Sequence, residues 1–436
     1  MTHPYIPNAE PGVRARMLAE IGVDSVEEFY ADIPAGLRLA RPLDLPAPFT
    51  AEQDLVRHMR GLFAKNVEAL SFLGHGTYPH YVPAVCDEVN TRSEFLTAYA
   101  GEPYEDHGRF QSLFEYVSQM GELLEMDVVN VPTYDGYQAA GTAIRMACRY
   151  TGRGKVLVTS AINRDKLSKL RDFLSHDTEI ELAPVKDNGE FGDVEIDDSY
   201  AAIYLETPNL YGVVETRGRE LAELAHAHGA LLVVGTDPIS LGVLAPPAAY
   251  GADIACGDIQ SLGMHQSYGG GHAGYIATQD HEPLVAEFPS RLFGIAPTAV
   301  EGEYGFGDVY YDRTSFAHRE EGKEWVGTAA ALWGITAGVY LALMGPEGMR
   351  ELGETILART RYAMDALGSI VKHAGAIHFR EFAIEVPDAA GLLAGLRERG
   401  IFGGVQLDER TVLVCVTERH SIADIDRLAA AIKEIL

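Results

Sequence analysis

The sequence has few basic residues, few cysteines and no long apolar run. Its 35 lysines and arginines stand against 63 acidic residues in a chain of 436, which gives a formal net charge of −28. This balance argues against binding to the phosphate backbone of nucleic acids or to an anionic membrane surface, because both attract positive charge. No run reaches the roughly 18 apolar residues that can span a bilayer, and the first 20 residues have no signal-like apolar core.

The four cysteines are scattered along the chain without a CxxC pair. Such usage is typical of reduced, buried thiols and not of a disulfide framework or a zinc site. We therefore expect a cytoplasmic protein without a structural metal.

Residues 61–315 alternate predicted helices with short apolar strands. Continuous apolar strands separated by helical crossovers indicate an α/β domain whose mostly parallel mixed sheet is covered by helices. Ligands in such domains bind beyond the carboxyl ends of the strands. The predicted strands are Lys155–Thr159, Thr178–Pro184, Ala201–Glu206, Ala230–Gly235, Asp253–Gly257 and Gly274–Thr278.

Three further segments flank this large domain. Residues 1–60 contain a capping box, with Ser25 three residues before Glu28, and a proline-rich strap. We predict that they form a helical arm that wraps the body or a neighbouring subunit. Residues 316–350 contain a long connecting helix, and residues 351–436 have the pattern of a small α+β domain. This organisation predicts a fold-type-I enzyme dependent on pyridoxal phosphate.

The interval that should provide a cofactor-binding lysine contains none. A cofactor of this class needs a helix N-terminus for its phosphate, an aspartate for its ring nitrogen and a lysine for its aldehyde. No lysine occurs between Lys186 and Lys323, and neither Gln260 nor Ser261 can form an imine. Asp237 stands where the aspartate is expected, although a simple turn residue is an equal interpretation. We therefore predict that this chain lacks the Schiff-base lysine and works through a partner.

The candidate phosphate loop is Tyr134, Asp135 and Gly136, which precede an alanine-rich helix. Close approach by a phosphate favours small or hydroxyl-bearing residues, but bulky Tyr137 follows Gly136. We interpret Tyr134, Asp135, Gly136 and Asp237 as vestigial cofactor-binding residues.

Three other polar or glycine-rich loops are candidate sites. Residues 269–274 match GxGxxG but lead from a loop into a strand, whereas a dinucleotide fingerprint lies between a strand and a helix. A backbone turn with close approach is the better interpretation. Residues 72–83 contain two histidines, two tyrosines and two prolines, which suits a pocket, an interface or a packed surface loop. The patch at 99–107 could hold a general base or be a solvated loop.

Several stretches of this chain resemble one protein family along nearly the whole length. The chain resembles the alpha chain, or subunit 1, of two-chain glycine decarboxylases, the P-proteins of the glycine cleavage system. The matching stretches are Tyr5-Ile6-Pro7-Asn8, Arg41-Pro42-Leu43-Asp44-Leu45-Pro46, His80-Tyr81-Val82-Pro83-Ala84-Val85, Tyr134-Asp135-Gly136, Thr207-Pro208-Asn209 and Asp237-Pro238-Ile239-Ser240-Leu241-Gly242-Val243-Leu244.

This resemblance implies a paired assembly, usually with two alpha and two beta chains. It implies that pyridoxal phosphate is bound to a lysine of the beta chain and that the alpha chain helps to shape the active site. The assembly would release CO2 from glycine and transfer the aminomethyl group to the lipoyl arm of an H-protein. The residues that we expect to line or border the shared site are Tyr78, His80, Tyr99, His107 and Arg319.

This chain departs from the family pattern at residues 104–108, 137–138 and 321–325. Each departure changes size or charge in a segment expected near an active site or an interface. Three alternatives to a glycine-specific subunit therefore stay open. They are a subunit of a paralogous complex that acts on a glycine analogue or another small amino acid, a non-catalytic scaffold for the beta chain, and an enzyme without pyridoxal phosphate.

Overall fold

The computed structural model describes residues 5–39, 41–95, 107–289, 292–310, 313, 315–323 and 330–436. The chain divides into two compact units, residues 1–68 and residues 69–436, and each is described by itself. The domain boundaries predicted at 60, 315 and 350 stay predictions.

The first unit is the N-terminal arm, which has helices but no core of its own. None of its described side chains is buried. The predicted capping box is present, because the Ser25 side chain accepts the N–H of Glu27 while the Glu28 carboxylate accepts the N–H of Ser25. The arm contains α1 (Pro11–Ile21) and α2 (Glu52–Phe63).

The second unit begins with the strands and helices of an α/β domain. In chain order these are β1 (Leu70–Ser71), α3 (Ala84–Thr91), α4 (His107–Leu124), β2 (Val128–Val129), α5 (Gly136–Thr151), β3 (Lys155–Thr159), α6 (Arg164–Leu174), β4 (Glu179–Ala183), β5 (Tyr200–Thr207), α7 (Gly218–Ala227), β6 (Leu231–Thr236), β7 (Ile254–Asp258) and β8 (Gly274–Thr278).

A connecting region and a smaller α+β region follow. Their elements are α8 (Glu282–Val285), β9 (Phe293–Pro297), β10 (Tyr304–Asp308), α9 (Ser315–His318), α10 (Ala331–Leu367), β11 (Glu381–Glu385), α11 (Ala389–Glu398), β12 (Ile401–Phe402), β13 (Val405–Gln406), β14 (Thr411–Cys415) and α12 (Ile422–Ile435).

Seven strands form one mixed sheet in the order β2-β8-β7-β6-β5-β3-β4. The five strands from β7 to β4 are parallel to one another. At one edge of the sheet, β8 runs antiparallel to β7, and β2 runs antiparallel to β8. All six predicted strands are present, and the two-residue strand β2 is the addition. The predicted α/β class with a mostly parallel mixed sheet is confirmed.

Strand β5 illustrates why the central strands of the sheet consist mostly of apolar residues. Ile203 and Leu205 pack into an apolar cluster on one face of the sheet, whereas Ala202 and Tyr204 pack into a second cluster on the other. Because helices cover both faces, seven of the eight positions of the strand are buried, and the exception is Glu206 near its end. The carboxyl ends of β5, β6 and β7 consequently meet at one edge, where polar side chains follow them.

The C-terminal region packs a three-stranded antiparallel sheet, in the order β11-β14-β13, against α11, α12 and the second half of α10. Helix α10 is interrupted at Gly345, whose φ of 58° is left-handed, and Pro346 follows. The long connecting helix predicted within residues 316–350 corresponds to the first half of α10, and residues 324–329 lie outside the described residues. Ser421 and Asp424 form a reciprocal capping box at the start of α12.

Within the described residues, no helix is long and apolar enough to cross a membrane. All four cysteines are free, and three of them are buried while Cys148 is half-buried.

Candidate functional site

A cavity of about 400 Å³ lies at the carboxyl ends of the parallel strands, where the sequence predicts a ligand site. Glu206 lines it from the end of β5, Asp237 from the residue after β6, and Asp258 from the end of β7. The other walls come from the N-terminus of α5, from α6, from the loop at 75–78 and from the start of β11. The candidate site is therefore assembled from segments that are distant in the sequence.

Two carboxylates occupy the N-terminus of α5. Asp135 is the N-cap, and its carboxylate accepts the N–H of Gln138 at 2.7 Å. The carboxylate of Asp258 accepts the N–H of Gly136 at 2.9 Å. These groups take two of the N–H donors in the first turn, and they lie at the positive end of the helix dipole that would otherwise favour a phosphate. A phosphate placed here would meet negative charge, so this end of the cavity does not fit pyridoxal phosphate.

Asp258 is also the end of a hydrogen-bonded chain through His272. His272 Nδ1 lies 2.9 Å from Asp258 Oδ2, and His272 Nε2 lies 2.9 Å from Thr77 Oγ1. The hydrogen bond to Asp258 raises the pKa of His272. His272 belongs to the glycine-rich segment 269–274, where a Cβ on Gly274 would lie 2.3 Å from the carbonyl oxygen of Asp135. The segment is thus a closely packed turn, as its position before a strand indicates.

Gln260 occupies the region where the sequence lacks a lysine, and its side chain is fully engaged. Its Nε2 donates to the carbonyl oxygens of Tyr78 and Met264 at 3.2 and 3.0 Å, and its Oε1 accepts the N–H of Tyr78 at 2.9 Å. Gln260 is 2% exposed. It therefore clamps the 72–83 loop against the body instead of presenting a reactive group.

A lysine from outside the lysine-free interval enters the cavity. Lys166, from the first turn of α6, forms a buried ion pair with Glu206, and its Nζ lies 3.2 Å from the hydroxyl of Tyr204. Burial opposes the charge on this amine, but Glu206 outweighs that effect and the pKa of Lys166 is raised. A protonated amine is not a nucleophile. Sequence reasoning missed Lys166, because no motif relates it to the strand ends.

Asp237 is paired with an arginine from the C-terminal region. Its carboxylate lies 3.0 Å from Nη2 of Arg380, whose guanidinium stacks on the ring of Tyr78 at 3.2 Å. Arg380 Nη1 bonds Nε2 of His80 at 3.0 Å, and His80 Nδ1 bonds Glu418 at 2.8 Å. The group that would meet a cofactor ring nitrogen is thus one member of a buried network.

Glu381, the next residue after Arg380, also lines the cavity. Its carboxylate accepts the hydroxyl of Tyr78 at 3.0 Å and the N–H of His75 at 2.6 Å. Burial raises the pKa of Glu381, and burial likewise raises the pKa of Tyr78, which stays protonated and donates. Sequence reasoning missed both Arg380 and Glu381.

The predicted site residues fall into different places. Tyr78, Asp135, Gly136 and Asp237 line the cavity, whereas His80 lies behind it in the Arg380 network. Tyr134 is half exposed beside the cavity loop, and Arg319 is exposed with a φ of 50°. His107 begins α4, but its side chain is not described. Tyr99 lies outside the described residues.

In the described part of the chain, no group of three or more histidine, cysteine or acidic side chains could hold a metal ion.

The chain matches the sequence profile of the glycine cleavage system P-protein over residues 3–432. It is 36% identical to the probable glycine dehydrogenase (decarboxylating) subunit 1 of Saccharolobus islandicus, over 100% of this chain and 98% of that protein. The resemblance inferred from the sequence is confirmed.

Comparison with solved structures supports the same family and identifies the fold. The crystal structure of a glycine decarboxylase (P-protein) in inhibitor-bound form superimposes with a TM-score of 0.86 and 34% identity, over 98% of both chains. The glutamate decarboxylase of Lactobacillus brevis has a TM-score of 0.66 at 12% identity, over 92% of this chain and 96% of that one, and shares the fold alone. The predicted fold-type-I architecture is thereby confirmed.

Proposed function

Because the chain belongs to the glycine cleavage system P-protein family, we propose that it is subunit 1 of a two-chain glycine decarboxylase whose pyridoxal phosphate is bound by subunit 2. In this complex the cofactor supplies the electron sink for decarboxylation of glycine. The aminomethyl group then passes to the lipoyl arm of an H-protein or a similar carrier. We propose two copies of each chain and a cytoplasmic location.

The main support for placing the cofactor on subunit 2 is the hydrogen bond from the N–H of Gly136 to the carboxylate of Asp258. This carboxylate fills the phosphate end of the cavity with a negative charge, while Gln260 stands in the lysine-free interval and Arg380 engages Asp237. These three features support the proposal that subunit 2, and not this chain, binds the cofactor. Each of these groups is hydrogen-bonded or ion-paired within the protein.

The N-terminal arm supports the need for a partner. None of its apolar side chains is buried, most of them are exposed, and they have no core of their own within residues 5–39 and 41–68. Exposed apolar surface of this kind marks an interaction site. The most exposed examples include Tyr5, Leu37, Leu45, Phe63 and Val67.

We also propose that five residues line or border the site shared with subunit 2. They are Tyr78, His80, Tyr99, His107 and Arg319. For Tyr78 the support is its place in the cavity wall, and for Arg319 it is an exposed cationic side chain on a left-handed backbone. Strained, exposed positions of this kind cluster at functional sites.

The decisive test is glycine-dependent exchange of labelled bicarbonate by the co-expressed complex. We expect exchange with both subunits present and none with either alone. A complex that forms without exchanging would exclude glycine as the substrate. Borohydride reduction of the isolated chain should trap no pyridoxal phosphate, and trapping on this chain would overturn the division of labour.

A non-catalytic scaffold is the second candidate, because every cation that lines the cavity already has a carboxylate partner within the chain. The variants His107→Ala and Arg319→Ala separate the two. If this chain contributes groups to the shared site, at least one variant loses turnover while the complex stays assembled.

A further inference from the structure

A threonine, a histidine and an aspartate form a hydrogen-bonded series in the wall of the cavity. The hydroxyl of Thr77 lies 2.9 Å from Nε2 of His272, and Nδ1 of His272 lies 2.9 Å from Oδ2 of Asp258. All three residues line the cavity, and they come from the 72–83 loop, the glycine-rich segment and the end of β7. The order of hydroxyl, imidazole and carboxylate is that of the triads that activate a nucleophile.

The carboxylate fixes the direction in which the histidine acts. Asp258 accepts the N–H of Gly136 at 2.9 Å and the N–H of Gln260 at 2.8 Å. Because an ionised carboxylate only accepts hydrogen bonds, Nδ1 of His272 donates to it. In the neutral imidazole, Nε2 then carries the lone pair and accepts the hydroxyl proton of Thr77. This tautomer makes His272 a general base for Thr77.

A backbone donor without a partner lies in the same wall. In the first turn of α5, the N–H groups of Gly136 and Gln138 bond carboxylates, whereas the N–H of Tyr137 has no acceptor within the described part of the chain. Tyr137 lines the cavity, and a Cβ on Gly76 would lie 3.7 Å from its hydroxyl. Thr77 directly follows Gly76, so the hydroxyl and this donor belong to adjoining parts of the wall. Backbone N–H groups of this kind stabilise the oxyanion that forms during acyl transfer.

The charges of the wall favour a substrate without negative charge. The described residues that line the cavity include five carboxylates but two lysines and one arginine, and each of these cations is paired with one of the carboxylates. The carboxylates are those of Asp135, Glu206, Asp237, Asp258 and Glu381. A volume of about 400 Å³ lies in the usual range for small-molecule sites. The cavity therefore suits a small, uncharged acyl donor.

We propose that Thr77 is an acyl-accepting nucleophile and that this cavity hydrolyses small uncharged esters. Oγ1 of Thr77 attacks the ester carbonyl carbon while Nε2 of His272 takes the hydroxyl proton. The C–O bond of the ester then breaks, the leaving alcohol takes the proton from His272, and the acyl group stays on Thr77. A water molecule that gives a proton to His272 releases the acid and restores the hydroxyl. No step uses pyridoxal phosphate or subunit 2, so this activity goes beyond the proposed function.

The test incubates the purified full-length chain with 4-nitrophenyl acetate. It measures the release of 4-nitrophenol and locates the acetyl group by peptide mass spectrometry. We expect acetylation of Thr77. Thr77→Val should lose the rapid release of 4-nitrophenol that accompanies this acetylation, whereas Thr77→Ser should keep it because the hydroxyl is retained. His272→Gln should slow acetylation at residue 77 about 100-fold, a usual contribution of a general base.

His226→Gln is the matched control. His226 also bonds an aspartate, Asp253, at 2.9 Å, but it is exposed and is not among the described residues that line the cavity. Acetylation of Thr77 in this variant should proceed at the wild-type rate. A wild-type chain that carries no acetyl group on Thr77, or equal rates of acetylation at residue 77 in the wild type and His272→Gln, would overturn the proposal.

The pH dependence decides if His272→Gln is unfolded by circular dichroism. Asp258 and Asp135 raise the pKa of His272, while burial and Lys169 oppose them. Because only the neutral imidazole accepts a proton, acetylation of Thr77 in the wild type should accelerate as the pH rises through this raised pKa. A rate that stays constant across that range also overturns the proposal.

The proposed function stands or falls separately. Bicarbonate exchange needs the complex of both subunits, whereas acetylation is measured on this chain alone, so either result can fail while the other holds.

Discussion

The carboxylate of Asp258 accepts the backbone N–H of Gly136 at 2.9 Å and lies 2.9 Å from Nδ1 of His272. One side chain thus satisfies an N–H in the first turn of α5 and holds the histidine of the glycine-rich segment. The N-terminus of a helix is a favourable place for an anion, and here the anion belongs to the protein.

Removal of this carboxylate should destabilise the chain. Asp258→Ala leaves the N–H of Gly136 and the imidazole of His272 without their acceptor, and we expect a loss of about 1–3 kcal/mol in the free energy of unfolding. The measurement is urea denaturation followed by circular dichroism. Asp198→Ala is the control, because Asp198 also pairs with a histidine, His228, but is exposed, and it should change stability by less than about 0.5 kcal/mol. An equal effect of both variants would contradict the role given to Asp258.

A lysine placed at 260 should not restore cofactor binding. Gln260→Lys removes three buried hydrogen bonds and brings a cation into the wall, so we expect a loss of about 2–4 kcal/mol in stability. After incubation with pyridoxal phosphate, the variant should show no imine absorption band, because the carboxylates at α5 still repel the phosphate. Gln266→Lys, at an exposed position, should be as stable as the wild type. An imine band in Gln260→Lys would mean that the lysine alone was missing.

Breaking the buried pair of Asp237 and Arg380 should be strongly destabilising. Asp237→Ala or Arg380→Ala leaves its partner as an uncompensated buried charge, for which about 3–5 kcal/mol is typical. The double variant should lose less than the sum of the two single losses, and a double-mutant cycle in denaturant measures the difference. The exposed pair of Arg350 and Glu354 is the control and should couple by less than about 1 kcal/mol. Simple additivity at Asp237 and Arg380 would contradict the network.

Acidification should unfold the chain partly through His378. This residue is 5% exposed, and burial lowers its pKa to about 4. Between the ordinary pKa of histidine, about 6.5, and this lowered value, the unfolded chain binds a proton more readily than the folded chain. The free energy of unfolding should therefore fall as the pH drops from about 6.5 towards 4. His378→Asn should flatten this dependence, whereas the exposed His226→Asn should keep it, and an unchanged slope in His378→Asn would contradict the assignment.

The arm should be needed for assembly and not for the stability of the chain. Phe63 is 61% exposed on α2, and Phe63→Asp should weaken binding to subunit 2 at least about tenfold, because aromatic anchors dominate interface energies. Titration calorimetry with purified subunit 2 measures this affinity, and thermal unfolding of the isolated chain should be unchanged. Gln53→Ala, on the same helix, should bind as the wild type does. A destabilised isolated chain would instead mean that Phe63 packs within its own chain.

Much of the fold could be predicted because its signals are local. Apolar strands such as Ala201–Glu206 and Ala230–Gly235 can be recognised from short windows of sequence, and so can the capping box of Ser25 and Glu28. The place of the cavity followed as well, because parallel strands end at one edge of a sheet. Asp237 was singled out in this way, whereas Gly136 was singled out as the start of an alanine-rich helix, and both line the cavity.

The wall of the cavity could not be predicted in the same manner. Gly136 and Asp258 are 122 residues apart, and His75 and Glu381 are 306 residues apart. Neither pair belongs to a motif, and Lys166 lies in a helix of ordinary composition. Which of these side chains meet depends on how distant segments of the chain pack at the strand ends, which short-range patterns do not encode.

The amino-acid sequence was sufficient to establish that no lysine occurs between Lys186 and Lys323, since a residue type absent from an interval stays absent in every conformation. It was also sufficient for the α/β architecture, because the removal of apolar surface from water drives folding and the alternation of apolar strands and helices shows which segments are buried. The folded arrangement was required to learn that the phosphate end is filled by Asp258 and that Arg380 and Glu381 share one wall. Those facts arise from electrostatic and hydrogen-bond partnerships between distant segments, and such partnerships exist only once packing has brought the groups within a few ångströms.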